Sequence, residues 1–205
     1  MLTKNINFIN FKIKKKNKLI RKKLKLILNN NNQVIQSLKK NYKNSYKKNI
    51  FHFFNKKLDF RIIGIGGSIL GAKAIYDFLR EKITKKFYFI DNLQAKKKYK
   101  FNSNFNNLVI SKSGNTTETI VNSNIYIKKN HKNLILTEDN NNYLLLLAKK
   151  LKAEIIHHNN FIGGRYSVLS EVGMLPVELM GLKSQNFKQF NLLIKNKNFL
   201  NALIE

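Results

Sequence analysis

The chain is 205 residues long, enough for one substantial hydrophobic core with extensions and too short for two full domains. It has no cysteine and only four scattered histidines, so disulfides, thiolate metal sites and a histidine zinc spacing are excluded. Its formal charge is +28, yet no apolar run approaches the ~20 residues of a membrane span and the start, MLTKNINFINFKIKKK, has no signal-like apolar block; a cytoplasmic protein with neither metal nor cofactor and no membrane partner is expected.

Such a charge ordinarily points to nucleic acid, because lysines neutralise phosphates and release counterions. Of the 39 basic residues, however, only four are arginine, whose bidentate guanidinium specific phosphate and base recognition favours. Asparagine, at 32 residues, is inflated alongside lysine. Lys, Asn, Ile, Phe and Tyr share A/T-rich codons, so the charge reads as compositional bias on solvated faces, and nucleic acid is not the expected partner.

Residues 1–60 hold 17 Lys or Arg, the single acid Asp59, no glycine and an NNNN tract at Asn29 to Asn32. Residues 1–58 read as a basic helical extension packing on the core, with an amphipathic helix over Leu19 to Leu28 and a second over Gln33 to Phe54. The competing reading is a basic arm for RNA or lipid, given the interleaved Phe and Tyr. From Arg61 the pattern changes to short apolar runs, polar or glycine-bearing turns and helical periods. Strands are predicted at Arg61 to Ile65, Lys86 to Ile90, Asn107 to Ile110, Asn133 to Thr137 and Ala153 to His157. Helices fall at Ile69 to Lys82, Thr116 to Lys129, Tyr143 to Leu151, Ser167 to Met180 and after Phe187. Strands alternating with helices predict an α/β domain over residues 59–182: a five-stranded, parallel, doubly wound sheet flanked by helices. Ligands of such sheets sit at the carboxyl ends of the strands.

All nine glycines follow Ile63, and seven of them fall in GIGGSILG, SKSGN and IGGR. The first stretch fails both nucleotide patterns. A dinucleotide fingerprint from Gly64 needs glycine where Ile69 stands, and a phosphate-binding P-loop from Gly66 to Gly71 needs Lys then Ser or Thr where Ala72 and Lys73 stand. What remains is a glycine pair, Gly66 and Gly67, and Ser68 leading from strand to helix. That suits an anion or a hydroxyl-rich ligand, and equally a tight turn with a serine cap.

The second stretch, LVISKSGNTTETI, is richer. Ser111, Ser113, Thr116, Thr117 and Thr119 offer hydroxyls, Gly114 lets the backbone turn, and Lys112 adds a charge. A phosphate needs several donors converging on its oxygens, which a loop feeding a helix N-terminus supplies. The alternative, an N-capping cluster around Thr116, uses one hydroxyl rather than several.

SKSGNTTET resembles the phosphate loop of sugar isomerase (SIS) domains. Together with GIGGSILGAK and GGRYSVLSEVGMLP, in that order, it resembles the glucose-6-phosphate isomerase family, in its shorter bacterial form, over residues 60–182. The resemblance implies that Ser111, Ser113, Thr116 and Thr119 hold a sugar phosphate with Lys112 beside it, that Gly66, Gly67 and Ser68 line the sugar site, and that Arg165 faces the reacting carbons with Gly163 and Gly164 allowing close approach. It implies reversible aldose–ketose isomerisation of glucose 6-phosphate and fructose 6-phosphate, a place in glycolysis and gluconeogenesis, a hexose 6-phosphate ligand and a homodimer for the complete chain. The family's base and ring-opening residues lie downstream of GGRxS in a second domain. Glu118, Glu171 and Glu178 match no family base, and His131, His157 and His158 read as surface or strand-end residues. The chain therefore reads as an amino-terminal half, with residues 183–205 the helical start of the other, and as binding sugar phosphate without turning it over. The alternatives are a non-catalytic SIS module sensing a sugar phosphate, and a basic RNA-binding protein.

Overall fold

The computed structural model describes residues 17–54, 57–93 and 105–204. The chain divides into two compact units, one comprising the residues up to Tyr42 together with Gln185 onward, the other Lys43 to Ser184.

The first unit contains α1 (Lys18–Asn29), α2 (Gln33–Ser37), α8 (Phe190–Lys195) and α9 (Lys197–Ile204). Asn17 caps α1 by accepting from the Ile20 N–H at 3.0 Å, and Arg21 of α1 donates to Asn201 Oδ1 of α9 at 2.9 Å. The second helix expected over Gln33 to Phe54 is instead two short ones, α2 and α3 (Ile50–Phe53). The break has a local cause: Asn44 donates to the Tyr46 hydroxyl at 3.0 Å and Ser45 to the His157 carbonyl at 2.6 Å, polar side chains that favour turns over helix interior.

The second unit holds the sheet. Its strands are β1 (Phe60–Ile63), β2 (Phe87–Ile90), β3 (Asn106–Ile110), β4 (Lys132–Thr137) and β5 (Glu154–His157), all parallel, in the order β2-β1-β3-β4-β5. Between and after them run α4 (Leu70–Phe78), α5 (Thr117–Tyr126), α6 (Tyr143–Leu151) and α7 (Glu171–Leu179). Three helices are shorter than their apolar periods suggest: α7 begins only at Glu171, after a turn in which the Ser170 N–H donates to the Ser167 carbonyl at 3.0 Å. After α4 the chain tightens to a 3-10 turn at Arg80–Lys82, and α5 stops at Tyr126 because Ile127 turns extended.

Alternate strand residues face opposite layers, so both faces must be covered. Ile62, Leu108, Ile110, Leu134 and Leu136 pack with Ile69 and Tyr76 on one side and with Val172, Leu175 and Leu179 of α7. Their neighbours Ile63, Val109 and Ile135 pack on the other side with Leu144 and Ala148 of α6. This is the doubly wound α/β sheet that the alternation predicts. Helix α7 is buried along almost its whole length, which explains a sequence as apolar as VGMLPV.

At the amino end of the sheet Arg61 is 1% exposed. It donates to the Tyr126 carbonyl at 2.6 Å and lies against the rings of Phe105 and Tyr126, 4.3 and 5.2 Å from their centroids. Burial pulls its pKa down to about 10, which still leaves it charged at neutral pH. Among the described residues no helix is long and apolar enough to cross a membrane.

Candidate functional site

The strand order reverses at β1. From β1 the chain moves outward to β2, then returns past β1 to β3, and the helices that follow β1 and β3 lie on opposite faces. A crevice opens between such strands at their carboxyl ends. The two loops that border it are GIGGS, after β1, and SKSGNTT, after β3.

In the second loop Gly114 takes φ +65°, a left-handed conformation that favours glycine, and brings the chain around. The turn gathers three hydroxyls: Ser111 Oγ lies 3.0 Å and Ser113 Oγ 3.4 Å from Thr116 Oγ1. Thr116 occupies the N-cap position of α5, yet its side chain makes no capping bond. The first bond into the helix runs from the Ile120 N–H to the Thr116 carbonyl at 3.0 Å, which leaves the amides of Thr117, Glu118 and Thr119 without an acceptor among the described residues. Beside them Thr119 is 1% exposed and its hydroxyl has no hydrogen-bond partner among the described residues.

The neighbouring helix shows what a filled N-terminus looks like. The amides of Tyr143, Leu144 and Leu145 of α6 donate to Asn115 Oδ1, the Gly114 carbonyl and Asn142 Oδ1 at 2.9, 3.2 and 3.0 Å. The loop thus satisfies the helix it docks on and leaves open the helix it enters. Open amides, the positive end of the helix dipole and clustered hydroxyls together suit an anion.

The loop after β1 and the one after β5 meet backbone to backbone. A methyl group at Gly67 would overlap the Gly164 carbonyl and come within 2.9 Å of the Arg165 nitrogen. Ser167 ties the turn by donating to the Gly164 carbonyl at 2.7 Å. Ser68 is half-buried in the 3-10 turn Gly66–Ser68, and Gly64 and Gly163 complete the two loops. Arg165 itself is exposed. Of the four arginines, Arg21, Arg61 and Arg80 each donate to a protein oxygen; Arg165 donates to none among the described residues.

Lys112 points differently from the hydroxyls around it. Its ammonium lies 3.2 Å from Glu138 Oε1 and donates to the Asn160 carbonyl at 2.8 Å, so its charge is already engaged. His158 is not a surface residue: it is 3% exposed, and its Nδ1 sits 2.8 Å from the Asn159 carbonyl and 3.6 Å from Glu171 Oε1. Glu171, fully buried at the start of α7, accepts from the Asn159 N–H at 2.7 Å. A carboxylate inside the apolar run VLSEVGML was the available sign that a buried partner exists.

Burial lowers the pKa of both His131 and His158 below the ordinary 6.5. Arg61 and Lys128 add to the effect at His131, whereas at His158 the Asn159 carbonyl and Glu171 partly oppose it. The unfolded chain therefore binds more protons than the folded one below about pH 6.5, and stability present above that value is lost as the pH falls. Melting temperature is expected to drop between about pH 7 and pH 5, with a shallower slope in H158Q, whose amide can still donate to Asn159. An unchanged slope in a thermal-melt series would rule this out.

The sequence model of the family described as phosphoglucose isomerase matches residues 12–202. A glucose-6-phosphate isomerase of Mycoplasmopsis pulmonis is 32% identical over 174 residues, which take in 68% of this chain and 38% of that protein. One from Methanocaldococcus jannaschii is 33% identical over 132 residues, 59% of this chain and 32% of that protein. The chain thus spans about a third of the length of the curated relatives it matches. The crystal structure of a hypothetical protein from Thermus thermophilus superposes with a TM-score of 0.64 at 19% identity, covering 90% of this chain and 49% of that one, and shares its fold. On the match of nearly its whole length, the chain belongs to the phosphoglucose isomerase family.

Proposed function

We propose that this chain carries the phosphate anchor and the enediolate-stabilising arginine of a glucose-6-phosphate isomerase acting in the interconversion of glucose 6-phosphate and fructose 6-phosphate. The observation that carries the reading is the uncapped start of α5, with three hydroxyls gathered before it and an unpaired Thr119 hydroxyl beside it. Ser111, Ser113, Thr116 and Thr119 hold the phosphate, with the amides of residues 117–119 turned toward the same oxygens. Lys112 acts through its main chain and as a strap to Glu138 and Asn160 rather than as a free charge.

Isomerisation moves a proton between C1 and C2 of the open-chain sugar through an enediolate. In this reading the Arg165 guanidinium, which donates to no acceptor among the described residues, stabilises the oxyanion that develops. Gly66, Gly67, Ser68 and Gly164 line the sugar between anchor and arginine, a place where small residues let the substrate come close. None of the described carboxylates takes the role of the base in this reading, and a homodimer is the expected state of a full-length isomerase.

The test is calorimetric titration of the 205-residue chain with fructose 6-phosphate, glucose 6-phosphate and inorganic phosphate. Both hexose phosphates are expected to bind more tightly than inorganic phosphate. R165A is expected to weaken the hexose phosphates by about tenfold while leaving inorganic phosphate unchanged. A coupled assay is expected to show no isomerisation by this chain. Equal affinity for all three ligands, or none for any, overturns the reading; turnover in the coupled assay overturns the assignment of the base elsewhere.

A further inference from the structure

The turn that delivers Arg165 is held at its root from two sides. Asn159 follows the end of β5, and both of its main-chain polar groups are engaged by buried side chains. Its N–H donates to Glu171 Oε1 at 2.7 Å and its carbonyl faces His158 Nδ1 at 2.8 Å. Glu171 is fully buried and His158 is 3% exposed, and the two lie 3.6 Å apart. The next carbonyl, that of Asn160, accepts from Lys112 at 2.8 Å. The Asn159 side chain closes the turn by accepting from the Phe161 N–H at 3.0 Å.

Buried polar groups of this kind have an energetic consequence that an apolar contact lacks. Each bond is directional, and removing Glu171 takes away the buried acceptor of the Asn159 N–H. The pair therefore fixes orientation, and the first thing downstream of the fixed point is Gly163, Gly164 and Arg165. Glu171 is suited to the task because it stands in the first turn of α7, where the helix dipole favours a carboxylate and where the helix is anchored in the core. A long, flexible, exposed arginine otherwise has many rotamers and a mobile stem. Holding the stem reduces the freedom that must be lost when substrate is engaged.

We propose that His158 and Glu171 are positioning residues that clamp the main chain of Asn159 and so set the placement of Arg165 over the sugar site. The proposal rests on the reading of Arg165 as the sugar-facing guanidinium. The two buried residues touch no substrate; they act through the turn they hold. Lys112 extends the clamp to the anion loop, since it stands between Ser111 and Ser113 while its ammonium grips the same turn.

The experiment compares wild-type chain, E171A and E171Q by amide hydrogen exchange and by titration with fructose 6-phosphate and inorganic phosphate. In E171A exchange across residues 159–167 is expected to rise by about tenfold, with affinity for fructose 6-phosphate down by about tenfold and that for inorganic phosphate unchanged. E171Q keeps a side-chain oxygen that accepts from Asn159 and is expected to stay within about threefold of wild type in all three readouts. If E171A does not fold, H158A replaces it with the same readouts; the Asn159 carbonyl then still accepts from the Ile162 N–H at 3.1 Å. Unchanged exchange over residues 159–167, a parallel loss of inorganic phosphate, or failure of glutamine to rescue overturns the clamp. If the wild-type chain binds no hexose phosphate, the sugar-site reading itself has failed, and the exchange arm still decides whether the clamp exists.

Discussion

Alanine at Gly67 is expected to destabilise the chain by about 2–3 kcal/mol and to abolish measurable binding of fructose 6-phosphate. The added methyl group meets main chain, not a flexible side-chain tip: it overlaps the Gly164 carbonyl and presses on the Arg165 nitrogen. One of the two loops must move, and either movement parts Arg165 from the turn after β1. Gly164 supplies the control, because a methyl group there meets nothing within 4 Å. G164A is expected to leave stability within about 0.5 kcal/mol of wild type. Any loss of hexose phosphate affinity in G164A then reports the ligand that fills that space. Urea denaturation of both variants with titration of each settles the matter. A G67A chain as stable as wild type, still binding fructose 6-phosphate, would show that the two loops do not depend on their close approach.

The contrast between those glycines shows what sequence reading reaches and what it does not. Three glycine-bearing stretches in a chain that uses glycine rarely marked the loops after β1, β3 and β5, and the alternation of runs such as FRIIGIG and NNLVISKSG marked the strands before them. Those signals are local, a short apolar run followed by a period near 3.6, and they survive a strong compositional bias. Which glycine meets which backbone is a long-range fact, 97 positions apart for Gly67 and Gly164, and no local pattern encodes it. Lys112 illustrates the same limit. Its place among the hydroxyls suggested a charge for the anion, but tertiary structure brings Glu138 and the Asn160 carbonyl to its ammonium. Glu171 stood out as a carboxylate in an apolar run, but its partner His158 was hidden for the same reason, since only tertiary structure places the two side by side. The break between α2 and α3 is a different kind of miss. There the apolar period was real, and the turn-forming side chains of Asn44 and Ser45 overrode it.

The double variant S111A/T119V is expected to bind fructose 6-phosphate and inorganic phosphate about a hundredfold more weakly, ~1.4 kcal/mol for each hydroxyl removed. Its stability is expected to change little, because the two substitutions act in opposite directions. Ser111 loses a bond to Thr116 Oγ1 at 3.0 Å. Thr119 loses a buried hydroxyl that has no partner among the described residues, and its replacement by a methyl group removes a standing cost of about 1 kcal/mol. A residue kept for packing alone would behave otherwise: valine in place of threonine would leave binding untouched. The pattern across ligands carries the argument further. Loss at the hydroxyls reaches inorganic phosphate and hexose phosphate alike, since both present the same oxygens to the start of α5. Loss at Arg165 reaches only the hexose phosphates. Two independent halves of a site, one reading phosphate and one reading sugar, predict that crossed pattern, whereas a nonspecific basic surface predicts the same fall for every anion in every variant. Titrating the double variant and R165A against both ligands distinguishes the two, and a T119V chain that is no more stable than wild type and binds phosphate equally well would remove Thr119 from the anchor.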